Sequence, residues 1–137
     1  MSSINVDNLF KEIKKGVERG AEVGFTDVAL DIQRTSSDAS PFKTGHLEKN
    51  HLDIDMGRKG WTATIWFEAF NQGFDYGHWI HEGHYNLGEG SLAKKGGSSQ
   101  FAGSVPVGRR YASRVVEQGG KNYQMHIIEK IAEGLEG

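Results

Sequence analysis

Three histidines, His78, His81 and His84, stand three residues apart with Glu82 among them. Imidazoles at short spacing can share a metal ion, so metal binding is the first chemistry to test. On a helix, positions i and i+3 lie side by side. A third histidine three residues further on has drifted off that face, and Gly83 disfavours helix there. On a strand, i and i+3 point to opposite faces. Zinc-binding helices use i and i+4 instead. A metal-dependent hydrolase built on His78, His81 and Glu82 is the sharper reading. The plainer one is a set of polar and aromatic side chains that pack and hydrogen-bond at a subunit boundary. The surrounding stretch, Phe74–Tyr85, is the densest in the chain, with four aromatic residues, three histidines, two acids and two glycines.

Other chemistry is thinly provided for. An acid–base pair would use His81 with Glu82, or Glu68 with Glu82, yet adjacent side chains do not converge on one substrate atom unless the backbone bends for it. The sequence has no G-x-S-x-G, phosphate-loop, HExxH or dinucleotide motif. Asp53 and Asp55 share one strand face about 7 Å apart, a spacing open to a metal-dependent nuclease, but no second acidic motif completes such a centre. A solvated strand face accounts for them. Arg109, Arg110 and Arg114 crowd one turn region, where they meet a phosphate, a partner's acids or simply water. With no cysteine in the chain, thiolate sites and disulfides are excluded. The expectation is a protein that is not an enzyme and takes no cofactor or metal.

Composition sets the frame for these residues. The chain has 137 residues, which fits one domain over 1–137. Its hydrophobic fraction is 36% and its mean hydropathy −0.55, polar for a monomer with a self-contained core. Nineteen glycines against two prolines point to long mobile loops. A net charge of −2 excludes the cationic footprint of tight, sequence-independent DNA binding. No apolar run is long enough for a membrane span, and the first residues lack a signal peptide's pattern. A soluble protein made in a cytoplasm is expected.

The elements that must position these residues follow from periodicity. Phe10, Ile13, Val17, Ala21, Phe25, Val28 and Ile32 recur at helical steps, so Asp7–Gln33 reads as one long helix ended by Thr35-Ser36-Ser37-Asp38. Gly16, Gly20 and Gly24 share a face, which fits either close approach by another helix or subunit, or a bent and frayed helix. Glu18 with Glu22, and Asp27 with Asp31, are acidic i,i+4 pairs expected on a solvated outer side, or an acidic functional surface. Leu47–Met56 alternates, Gly57–Gly60 is a turn, and Trp61–Glu68 is the partner strand. Trp66 falls on that strand's polar face, so the chain or another subunit should cover it. Residues Asn86–Ser104 read as a flexible glycine-rich loop. Pro106 opens a final helix that Gly119-Gly120 should kink or split. The fold class expected is α+β, with the N-terminal and C-terminal helices packed on a small, mostly antiparallel sheet.

The order of these segments resembles a known set. Pro41-x-x-Thr44-Gly45-x-Leu47 precedes the hairpin. Tyr76-Gly77-x-Trp79-Ile80-His81-Glu82-Gly83 follows it, then the variable loop and a final Gly108-Arg109-Arg110-Tyr111 helix. This order resembles the neck, tail-completion and minor capsid proteins of long-tailed bacteriophages, although Gly77 stands where alanine is common and the loop is long. The resemblance implies a structural virion protein at the head–tail junction, assembled in the host cytoplasm as a six- or twelve-fold homo-oligomeric ring. It implies head-completion or connector proteins on one side and tail-tube or terminator proteins on the other, with DNA passing through unbound. An assembly chaperone that leaves before the virion matures is the alternative within the same setting. The expected interface residues are Pro41, Thr44, Gly45, Leu47, Trp66, Tyr76, Trp79, His81, Glu82, Arg109 and Arg110.

Overall fold

In a computed structural model of the chain, residues 6–40, 50–67, 70–71, 74–75 and 94–136 are described. Helix α1 (Val6–Ala39) is followed by strands β1 (Asn50–Gly57), β2 (Gly60–Phe67), β3 (Phe70–Asn71), β4 (Phe74–Asp75), β5 (Gly97–Ser99) and β6 (Gly103–Val105). Helix α2 (Tyr111–Glu136) closes the sequence of elements. The class is α+β, with the two long helices at the ends of the chain as expected. The β-structure falls into three antiparallel two-stranded pairs, β1–β2, β3–β4 and β5–β6.

The two helices form the spine, and the glycines let them meet. A side chain built on Gly16 would come 2.8 Å from the Gly134 carbonyl, and one on Gly24 would come 2.8 Å from the Ile127 Cα. One on Gly20 would run into the Lys130 carbonyl. The three-glycine face is therefore a close helix–helix approach within the chain. Bulkier residues would hold the backbones at the usual 8–10 Å.

Helix α1 runs past its expected end to Ala39. Thr35 and Ser36 are fully buried, and Gly97 of β5 packs onto the Thr35 backbone. Tertiary packing thus overrides the turn preference of that stretch. Lys94 Nζ closes the helix end by donating to the carbonyls of Ser40 (2.5 Å) and Ser37 (3.3 Å). A cation suits the negative end of a helix dipole.

The expected loop at 86–104 contains structure at its far end. Strands β5 and β6 pair there, with Ser98 opposite Ser104. Ser99 Oγ accepts from the Phe101 and Ala102 amides, both at 3.0 Å, and Gly103 at φ 76° completes the turn. Helix α2 starts at Tyr111, five residues after Pro106, and continues through Gly119-Gly120 without a break. The Tyr123 ring lies directly over Gly119 and covers the backbone that a glycine leaves bare. The core, Val28, Ala39, Val105, Tyr111, Val115 and Tyr123, sits where the C-terminal half of α1, the β5–β6 pair and the start of α2 converge.

Candidate interaction surface

The β1–β2 hairpin carries the first candidate surface. Its register pairs His51 with Trp66, Asp53 with Thr64 and Asp55 with Thr62 on one face, and Leu52 with Ile65, Ile54 with Ala63 and Met56 with Trp61 on the other. The two faces match those expected from alternation. The second face lies toward α1, where Trp61 meets Phe25 edge-on at 5.7 Å. Asp53 and Asp55 are exposed, as a solvated face requires. Trp66 remains 47% exposed and stacks on His51, 5.4 Å away at 26°. Of the two coverings expected for Trp66, the chain itself supplies one through this ring, and about half of the indole stays open. Beneath the hairpin, Ala63 and Ile65 border a groove of about 450 Å³ whose other wall includes Ile32, Arg110, Val116 and Glu117.

Two of the arginines serve the chain itself. Arg110 takes φ 53° and pairs with Glu117 at 2.6 Å. The Arg114 guanidinium donates to the carbonyls of Arg109 and Pro106, each at 2.8 Å, closing the turn ahead of α2. Arg109 is exposed. Trp66 and Arg110 do not share a surface, because Trp66 projects from the outer hairpin face and Arg110 lines the groove under the inner one. Pro41, Thr44, Gly45, Leu47, Tyr76, Trp79, His81 and Glu82 lie outside the described residues, as do His78 and His84. Among the described residues no three acids or histidines cluster as a metal site. No described helix is long and apolar enough to cross a membrane.

A second polar assembly was not anticipated. Asp31, expected on a solvated face, is buried. Its Oδ2 accepts from Ser99 Oγ at 2.6 Å and from the Tyr123 hydroxyl at 2.7 Å, and its Oδ1 accepts from Arg34 at 2.7 Å. One carboxylate thus ties α1 to β5 and to α2. Burial pushes the Tyr123 hydroxyl well above its ordinary range, and its hydrogen bond to Asp31 adds to the shift. Asp27 is likewise engaged, 2.8 Å from His126 Nε2. Phe101 packs on both rings, 5.4 Å from Tyr123 and 4.8 Å from His126. The sequence held one signal for this. Asp31 is three residues from Val28 and four from Thr35, on the core face rather than the outer one. The chain matches no family model, no curated protein and no solved structure.

Proposed function

We propose that this protein is a structural virion component that assembles as a ring at the junction between a phage head and its tail. The observation that carries the reading is the distribution of apolar surface. Seven hydrophobic residues are buried among the described residues, while eleven large ones are exposed, from Val6 on α1 to Leu135 on α2 and including Trp66. An excess of exposed over buried large apolar side chains among the described residues is suited to neighbours that cover them. A ring does this with one heterologous contact repeated and closed by rotation. A net charge of −2 suits a passage through which DNA slides without adhering. The motif order given above adds the head–tail setting.

Deleting the gene should yield filled heads and tails that do not join, and mass spectrometry should find the protein in purified wild-type particles. Infectious particles from the deletion, or virions without the protein, would refute the proposal.

A further inference from the structure

The outer face of the β1–β2 hairpin holds charge that the fold does not offset. Its register sets three cross-strand pairs in a row, His51 with Trp66, Asp53 with Thr64 and Asp55 with Thr62. All six side chains are exposed. A carboxylate on a sheet face is offset best by a base directly opposite. Here each acid faces a threonine, and among the described residues neither Asp53 nor Asp55 enters an ion pair or a hydrogen bond. The chain engages its acids elsewhere: Asp27 meets His126, Asp31 meets Arg34 and Glu117 meets Arg110. Arg58 and Lys59 lie in the turn at the hairpin's end rather than on this face.

The other end of the row is aromatic. Trp66 and His51 stack into one platform, and about half of the indole is open. The face of a ring is the negative side of its quadrupole, and indole attracts a cation more strongly than the other aromatic side chains do. The carboxylates and the indole therefore select the same charge. The inner face of the hairpin is already in use, since Trp61 there packs on Phe25 of α1.

We propose that this face binds an extended, arginine-bearing segment of a partner protein. Arginine fits better than lysine, because a planar guanidinium both stacks on indole and forks to a carboxylate. Side chains on one side of an extended chain stand about 7 Å apart, which is also the spacing of Asp53 and Asp55 along β1. In an Arg-x-Arg sequence lying along the hairpin, one guanidinium covers Trp66 and reaches Asp53, and the next meets Asp55. The charge pattern of the partner thus follows from the register of the sheet. The inference does not depend on the ring, since it needs a basic chain rather than a second copy.

The probe is the peptide acetyl-Thr-Arg-Thr-Arg-Thr-amide, titrated into the full-length protein by calorimetry. It should bind with a dissociation constant of about 0.1–1 mM and more weakly as salt is raised. Trp66→Ala should weaken it about 3- to 5-fold, and Asp53→Asn combined with Asp55→Asn about 10-fold. The same peptide with lysine should bind less tightly, and with glutamate not at all. Glu18→Gln combined with Glu22→Gln removes as much charge from exposed positions on α1 and should change nothing. All the substituted side chains are exposed, and circular dichroism melts verify folding. Equal losses from the two double variants would mean attraction to net charge alone and would overturn the proposal. So would the absence of arginine-peptide binding, binding that Trp66→Ala leaves intact, or maltohexaose occupying the face in the peptide's place. In each of those cases the protein's presence in virions still decides the neck reading separately.

Discussion

The Tyr123 hydroxyl is held in the core by a single acceptor, Asp31 Oδ2 at 2.7 Å, and burial raises its pKa above the ordinary phenol value. The unfolded chain releases that proton near pH ~10, while the folded chain keeps it to higher pH. Above about pH 10 the unfolded state therefore binds fewer protons than the folded one, so stability falls as pH rises. Below that range this group contributes no pH dependence. Tyr123→Phe should lower stability at neutral pH by about 1–2 kcal/mol, because a bond to a carboxylate is lost while Ser99 still satisfies the same oxygen. The wild-type advantage should then shrink progressively from about pH 9.5 upward. Paired thermal melts across the alkaline range measure this. A difference between the two proteins that is constant with pH would mean the hydroxyl is not buried against Asp31.

Among the elements, the α1–α2 pairing is the one most tightly defined by backbone geometry, and glycine is its instrument. Alanine is favoured over glycine in a helix interior by about 1 kcal/mol. At Gly120, where an added Cβ would meet nothing within 4 Å, Gly120→Ala should keep most of that gain. At Gly20 the same methyl would enter the Lys130 carbonyl and lie 2.6 Å from the Ile131 Cα, both backbone atoms that cannot swing aside. Gly20→Ala should be net destabilising, since forcing the helices apart costs about 1–3 kcal/mol. Opposite shifts in melting temperature are expected from two chemically identical changes; equal shifts would mean the helices do not touch at Gly20. The glycine spacing was legible in the sequence because it repeats at the helical period. So were the two faces of the β1–β2 hairpin, because alternation fixes which side is buried. What escaped the sequence depends on distant packing. Gly119-Gly120 reads as a break until the Tyr123 ring covers it. Thr35 and Ser36 read as a helix end until β5 packs on them. Asp31 reads as a solvated charge until Ser99 and Tyr123, 68 and 92 residues away, are brought to it. The glycine-rich stretch before α2 conceals β5 and β6 because three-residue strands carry no periodicity to read.

At the scale of the whole molecule the two ends are built differently. Where α1 finishes and α2 begins, Val28, Ala39, Val105, Tyr111, Val115 and Tyr123 close a core over the Asp31 hydrogen bonds. At the other end the helices touch through glycine and backbone, and Val6, Leu9, Phe10, Ile13 and Leu135 are exposed. A monomer built this way opens locally at the second end first, since few apolar contacts hold it. In the proposed assembly a neighbour that covers this surface would make stability depend on concentration. A neighbour present at a hundredfold excess over its dissociation constant adds about 2.7 kcal/mol, roughly 5–10 °C in melting temperature for a chain of this size. The gain should be local. Amides near residues 6–16 and 128–136 should gain hydrogen-exchange protection as concentration rises, while those near Val28–Ser36, already sealed by the core, should change little. Melts over two decades of concentration, paired with exchange at both extremes, measure the two effects together. A melting temperature independent of concentration, with the second end equally unprotected throughout, would mean that the exposed apolar surface does not serve self-association.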